Sequence, residues 1–405
     1  MLKSLTLFIL FLSHVLIAET YDPPSVYLSW QQNPDTTMVI RWITPTSRTD
    51  DLIQYKVRGE EHWLNAVGSH ISMPDKHPYL IHYIELTALE PNTVYSFRTG
   101  EDGAEFLFRT MPSTLSAPIR FVAGGDMYHD DLAPLIETQR QAAATSPHFA
   151  LLGGDIAYTA PKLSLFAENF ERWLDWLKAW KATMVTPDGC LIPMIITIGN
   201  HDVIGRFGKS PSHAAFFYSL FVTPQQTSYK VIDFDGYMSV IVLDSGHTNP
   251  IGGAQSRWLA QTLENRQEIP NKFALYHVPA YPSIRNPKGP ISSEIRMNWV
   301  PLFDTFHLTA AFENHDHAYK RSYPLLNGKI DEEDGVLYMG DGAWGIKSPR
   351  KEKTSRRWYI KKFSPTRHFI LVTLFPNHTQ QFQAIDSKGT PIDNYLHDKQ
   401  VHSNL

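Results

Sequence analysis

A single cysteine, Cys190, stands among 405 residues, so no disulfide can form within one chain and the fold must rest on packing. A secreted protein without disulfides suits a bacterial envelope better than an animal extracellular space. Long apolar runs are equally scarce. The one candidate, Leu5 to Ala18 behind Met1, Leu2 and Lys3, is short for a membrane span. It has the shape of a signal-peptide core, with Ala18 as the cleavage point. Net charge is small, -4 with the histidines neutral. No long Lys/Arg run could neutralise a phosphate backbone, which argues against nucleic acid as a principal ligand. The loose basic group Arg350, Lys351, Lys353, Arg356, Arg357, Lys361 and Lys362 reads as a solvated face. Motifs of other chemistries are missing too. Gly208-Lys209-Ser210 ends like a phosphate loop, but the glycine required upstream is Val203, and no Gly-x-Ser-x-Gly elbow or dinucleotide fingerprint is present.

What is present is enough apolar residue, 42% against 19% charged, for a large core, in a chain too long for one ordinary domain. From about residue 23 to 112, short alternating segments are punctuated by turns. The strands expected are Ser25 to Trp30, Thr37 to Trp42, Ile53 to Val57, Tyr79 to Leu86, Val94 to Arg98 and Glu105 to Arg109. Asn33-Pro34-Asp35, Glu90-Pro91-Asn92-Thr93 and Asp102-Gly103 separate them, the texture of a β-sandwich. A Pro- and Ser-containing linker over 111–118 follows. Beyond it, apolar runs alternate with amphipathic helices, Phe166 to Ala182 and Gln255 to Gln267 among them, as in an α/β domain with buried strands.

Five of these apolar runs end in polar residues. Ile119 to Ala123 leads to Gly124-Gly125-Asp126, and Phe149 to Leu152 to Gly153-Gly154-Asp155 with Tyr158 three residues on. Met194 to Ile198 leads to Gly199-Asn200-His201-Asp202, Phe273 to Tyr276 to His277, and Leu308 to Phe312 to Glu313-Asn314-His315-Asp316-His317. Ligands of α/β sheets sit beyond the carboxyl ends of strands, and glycines there let the backbone turn tightly. Carboxylate, amide, imidazole and phenol donors suit hard or borderline metals. Two ions about 3.5–4 Å apart can clamp a phosphate and activate water. Each motif alone reads as a turn or a packed histidine; together and in order they read as a metal centre. His129 and Tyr281 read first as ordinary packing residues.

The order Gly-Asp, Gly-Asp-x-x-Tyr, Gly-Asn-His-Asp, lone His, His-x-His resembles the metallophosphoesterases, and the Tyr in the second motif resembles the purple acid phosphatases. Tyr128 stands where many metallophosphoesterases carry a histidine, and Tyr158 fits the purple phosphatase pattern. Val39 to Pro45, Leu89 to Tyr95 and His317 to Ser322 are similar to further segments of the larger members. The resemblance implies an N-terminal all-β, fibronectin-III-like sandwich over 21–113, after a signal peptide over 1–18. An α/β metallophosphoesterase domain over 117–400 follows, with two sheets in a sandwich flanked by helices. It implies Fe(III) held by Asp126, Tyr158 and His317, and a divalent ion (Zn, Fe or Mn) held by Asn200, His277 and His315, with Asp155 bridging. His201, beside Asn200, would bind the phosphate or donate a proton to the leaving oxygen. The activity implied is that of a secreted or periplasmic acid phosphatase, with metal-bound hydroxide attacking a small phosphomonoester. A phosphodiesterase or pyrophosphatase on the same core, and a non-catalytic secreted binding protein, stay open. So does the oligomeric state. Two departures stand out: Asn314 replaces the usual glycine, and Met127-Tyr128-His129 replaces the usual small residues. Both are expected to shape the substrate entrance.

Overall fold

A computed structural model describes residues 20–160, 168–222, 227–351 and 357–398. The apolar stretch read as a signal peptide, Phe166, and Lys353 and Arg356 of the basic group lie outside the described residues. No described helix is long and apolar enough to cross a membrane.

The N-terminal unit is β-rich, two four-stranded antiparallel sheets face to face. One sheet runs, in spatial order, Ser25–Ser29, Met38–Pro45, Tyr79–Leu86 and Ser69–Ser72. The other runs Leu64–Val67, Leu52–Val57, Val94–Thr99 and Glu105–Arg109. The six strands expected from the sequence are present within one residue at each end, except that the second runs three residues further, to Pro45. The two that were not expected, Leu64–Val67 and Ser69–Ser72, are edge strands with no buried residue. Alternation marks a strand only where one face is buried, so their side chains carry no such signal.

After residue 118 two mixed sheets form a second sandwich. The first has the order Met194–Ile196, Phe149–Leu152, Ile119–Gly124, His368–Leu374, Gln380–Asp386, Pro391–His397. The second is built on the parallel strands Met238–Val242, Asn271–Leu275, Ala310–Glu313 and Leu337–Gly340. The strands inside each sheet are mostly apolar on both faces because each sheet has the other sheet on one side and helices on the other. Between the sheets, Phe121 stacks on Phe149 at 4.9 Å and meets Phe273 edge-on at 5.4 Å. Outside them lie α1 (Leu132–Ala144), α2 (Phe170–Thr183), α3 (Ala215–Phe221), α4 (Ala254–Glu264), α5 (Pro290–Asn298) and α6 (Val300–Thr305). Helix α1 begins where the Asp131 carboxylate accepts from Ala133 N at 3.0 Å, an N-cap that satisfies a donor the helix leaves free. Helix α2 turns Trp173, Trp176, Leu177 and Trp180 inward, spacings of three and four that put them on one face.

The two units share core. Trp30, in the chain just past the first strand, meets Phe149 and Phe234 edge-on, each at 5.9 Å. Tyr27 donates its hydroxyl to Leu220 O at 2.8 Å. Strand order has a simple consequence for the site. The parallel strands of both sheets end at the same edge, and the polar residues that follow them meet there.

Candidate metal centre

All seven candidate ligands from the sequence lie together at that edge, from six different segments. Asp126, Asp155 and Asn200 come from the first sheet, Tyr158 from the turn after Asp155, and His277, His315 and His317 from the second sheet. They form two groups. In one, Tyr158 Oη lies 2.9 Å from Asp126 Oδ1 and 3.2 Å from His317 Nε2, and His317 Nε2 lies 3.0 Å from Asp126 Oδ1. In the other, His277 Nε2 lies 3.2 Å from Asn200 Oδ1, 3.1 Å from His315 Nδ1 and 3.4 Å from Asp155 Oδ2. Asp155, His277 and His315 all keep their ligand atoms within 4.8 Å of one another.

The second group fits a cation. His277 Nδ1–H is committed to Gly153 O at 2.8 Å, which leaves the Nε2 lone pair aimed at the acceptor oxygen of Asn200. Fixing one imidazole nitrogen by a hydrogen bond so that the other can ligate is the usual outer arrangement of a metal histidine. Asp155 Oδ2 is buried and accepts no hydrogen bond. Lone pairs that face each other in a buried site need a positive charge between them. In the metal-free protein a proton stands in. Burial opposes charge on His277, but the Asp155 carboxylate outweighs it and holds the imidazole near 9. His315 is driven well below its ordinary value, by burial first and by the cationic His277 second. Tyr158 is driven up by burial and then by the Asp126 charge, so its phenol ionises there only beside a strong Lewis acid.

Five of the seven adopt left-handed backbone: Asp126 (φ 56°), Asp155 (52°), Tyr158 (50°), His315 (77°) and His317 (62°). Each non-glycine residue there costs about 1–2 kcal/mol, and such strain persists where the surroundings over-determine it. The surroundings do so here. Asp202, buried, accepts from Ile156 N at 3.0 Å and from Gly199 N at 2.9 Å, tying the Asp155 turn to the Asn200 turn. Arg172 of α2 donates to Ala157 O at 2.7 Å and to Tyr128 O, and its guanidinium lies 3.9 Å over the Tyr128 ring. Asp316 faces away from its two histidines and accepts from Ile284 N and Arg285 N at 2.6 and 3.0 Å. A glycine is required at 342, where an added Cβ would sit 1.8 Å from Asp126 Oδ2.

His201 has its backbone N–H on Asp155 Oδ1 at 2.6 Å and its ring stacked on Tyr158 at 4.6 Å. It therefore borders the site without joining either group. His129 lies against the site as well, its ring 4.9 Å from Tyr158 and 5.5 Å from His317. Tyr281 is a packed residue, beside Tyr338 at 4.6 Å and Tyr359 at 5.3 Å. The two sequence departures differ in where they fall. Asn314 is buried, donates to Tyr276 O at 3.0 Å, and occupies space that glycines leave at 125 and 153, where a Cβ would come within 2.5 and 1.8 Å of its amide. Met127 and Tyr128 are buried against the helices. Of the second departure, only His129 borders the site.

Three supporting groups escaped the reading of the sequence. The strand Met238–Val242 also closes in polar residues, Asp244-Ser245-Gly246-His247. Asp244 gathers the N–H groups of His247, Thr248 and Asn249, and the buried His247 ring lies 5.6 Å from His277. The strand Leu337–Gly340 closes in Asp341, whose carbonyl receives His317 N at 2.7 Å. Arg285 donates to His315 O at 3.0 Å. The first two carry the same signal as the five motifs, an apolar run ending in an acid; Arg285 carries none.

Residues 23–116 match the family described as the purple acid phosphatase N-terminal domain, and residues 119–319 match the calcineurin-like phosphoesterases. Purple acid phosphatases 21 and 22 of Arabidopsis thaliana are 27% and 25% identical to the chain over 275 and 343 residues. These alignments cover 65% and 80% of this chain, and 58% and 72% of the relatives. The match therefore spans less than two thirds of the first relative's length. An uncharacterized protein of Mycobacterium tuberculosis is 24% identical over 396 residues, 81% of this chain and 70% of that one. Among solved structures, the purple acid phosphatase PPD1 from yellow lupin (Lupinus luteus) seeds superposes with a TM-score of 0.76 at 15% identity, over 94% of this chain and 75% of that one. PhoD does so with a TM-score of 0.67 at 12% identity, over 94% and 93%. Both show the shared fold. With the N-terminal unit and the phosphoesterase unit each matched, and in that order, the chain belongs to the purple acid phosphatases within the calcineurin-like metallophosphoesterases.

Proposed function

We propose that the protein is an acid phosphatase that hydrolyses small phosphomonoesters at a dinuclear Fe(III)–divalent metal centre, the divalent ion being Zn, Fe or Mn. The observation that carries the reading is Tyr158 Oη within 2.9 Å of Asp126 and 3.2 Å of His317, because a phenol oxygen beside carboxylate and imidazole is a donor set for a hard trivalent ion. Asp126, Tyr158 and His317 would hold that ion, and Asn200, His277 and His315 the divalent one, with Asp155 between them. When bound, the pair supplies Lewis acidity toward phosphoryl oxygens and an activated water.

The protein's own groups do the rest. Asn200 and His201 face the phosphoryl group, and His201 gives its proton to the leaving oxygen. Burial, offset in part by Asp155, lowers the pKa of His201. That makes it a stronger donor and confines its protonated form to acid solution. The trivalent and divalent ions bring more charge than Asp126, Asp155 and Tyr158 return, so a dianionic monoester is favoured over a singly charged diester. An apolar leader supports export to the envelope or beyond, and sequencing the N-terminus of the mature chain checks it. We place the boundary between the two units at about residues 113–117.

Two measurements test the reading. The isolated protein should be pink to purple from phenolate-to-iron charge transfer, and Tyr158→Phe should bleach it without changing its circular dichroism. The ratio kcat/KM for an aryl monoester should exceed that for its diester and peak below pH 7. A colourless protein holding two zinc ions would remove the iron; a diester preference with an alkaline optimum would replace the monoesterase by a phosphodiesterase.

A further inference from the structure

A second group of metal-ligand residues lies in the N-terminal sandwich, far in sequence from the phosphoesterase motifs: Asp51, His70 and His82. His70 and His82 are direct cross-strand partners on Ser69–Ser72 and Tyr79–Leu86, which places their side chains on one face of that sheet. Asp51 precedes Leu52–Val57 of the opposite sheet. His70 Nδ1 lies 2.8 Å from Asp51 Oδ2, and His82 Nδ1 lies 2.6 Å from Asp51 Oδ1.

The proton inventory of His82 is unusual. Thr44 Oγ1 has one proton, and the carbonyl of Arg48 at 2.8 Å takes it. Toward His82 Nε2, 2.7 Å away, the hydroxyl can then only accept, so Nε2 carries the imidazole proton. A neutral ring of that tautomer turns the bare Nδ1 lone pair toward a carboxylate oxygen. Either a second proton or a metal cation must lie between them. A second proton would make an imidazolium with no exposed surface, a charge that burial disfavours. Its one counter-charge, Asp51, is already shared with His70. The chain from Nε2–H to Thr44 to the Arg48 carbonyl is, in contrast, the outer arrangement that fixes a ligating histidine.

We infer that Asp51, His70 and His82 form a third metal site, selective for zinc or a similar borderline divalent cation, that clips the two sheets of the N-terminal sandwich together. Two imidazole nitrogens and a carboxylate oxygen are a zinc donor set, with water as the fourth ligand. Ligands at about 2.0–2.1 Å from a tetrahedral ion stand roughly 3.3 Å apart, so Asp51 withdraws by a few tenths of an ångström. Its side chain is 17% exposed and that of His70 32%, which leaves room for that movement and a path for the ion. The clip also accounts for Ser69–Ser72, an edge strand whose four residues are all exposed and so contribute no apolar burial. With the ion in place, that strand is held by a covalent-like link to the other sheet as well as by pairing.

The test compares the full-length protein with His70→Gln and Asp51→Asn after equilibration with micromolar zinc. Metal content per chain should fall by one equivalent in each variant. Phosphatase activity should stay unchanged, and the zinc-dependent rise in thermal midpoint seen in the wild type should shrink. With cobalt(II) in place of zinc, the wild type should show additional d–d absorption that the variants lack. Equal metal content in all three proteins and equal response to zinc would overturn the inference, leaving Asp51 as an ion-pair partner of two histidines. Should either variant misfold by circular dichroism, the cobalt spectrum of the wild type decides alone: absorption saturating at the equivalents held by the phosphoesterase centre refutes a third site.

Discussion

His201 shows how much a single position separates two roles. Its neighbour Asn200 points at His277, while its own ring lies over Tyr158. His201→Ala should therefore keep its metal content and lose about 10²–10⁴ in rate on substrates with poor leaving groups. The loss should be smaller on aryl phosphates, whose leaving oxygen needs little protonation. Atomic absorption and paired kinetics on alkyl and aryl substrates read both. Asn314 is a second instructive residue. Its amide fits because positions 125 and 153 lack a Cβ. Gly153→Ala should cost more than the ~1–3 kcal/mol of an ordinary overpacked site, since the added carbon meets an amide fixed to Tyr276 O. Combining it with Asn314→Gly should restore most of the loss. Urea midpoints of the two single variants and the double give the coupling. At this scale the candidate ligands were legible because metal donors belong to few residue types. The direction Asn314 faces was not, since nothing in the sequence tells whether a residue beside a ligand turns toward solvent or toward a pair of glycines.

Elements determine which of these side chains can meet. The runs 119–123, 149–152 and 273–276 were readable as buried strands because both faces are covered, so every residue but Arg120 is apolar. Ser69–Ser72 was not, having no buried face, and neither were short helices such as α3 and α6, too brief to display a period. Glu168, in the segment leading to α2, links that helix to the Tyr158 turn. It accepts from Trp173 Nε1 and Thr159 Oγ1, each at 3.2 Å, and from Phe216 N at 3.5 Å. Burial outweighs these bonds and raises its carboxyl from 4.5 to about 7. Between those values the folded protein holds a proton that the unfolded chain has released, so stability falls as pH rises from 4.5 to 7 and stays lower above. The fall is about 3 kcal/mol if the whole shift is expressed, at ~1.4 kcal/mol per unit. Glu168→Gln, neutral throughout, should match the wild type near pH 4.5 and exceed it above pH 7. Denaturant midpoints across that range report the difference, and parallel curves for the two proteins would count against it.

For the whole molecule, the shared core around Trp30 matters most. A chain beginning near Ser116 would leave Phe149 and Phe234 without their indole partner, and exposed apolar patches promote association. It should be less soluble than the full-length protein, yet still bind two metals, because all seven candidate ligands follow residue 118. Loss of a metal from a soluble, folded chain of this kind would mean that the first unit takes part in the centre. The two-unit plan was legible in the change of pattern near residue 112; the intimacy of the contact was not, because an apolar residue reads the same whether its neighbour is in its own unit or the next.

The strand that presents Asp126, Ile119–Gly124, lies between Phe149–Leu152 and His368–Leu374. One of its neighbours is thus brought to it from far along the chain. The N-terminal sandwich can fold while synthesis continues, but the sheet that aims Asp126 is completed only after the parallel strands of the second sheet have been made. An ion held by Asp126 would then be captured only once both sheets have been made.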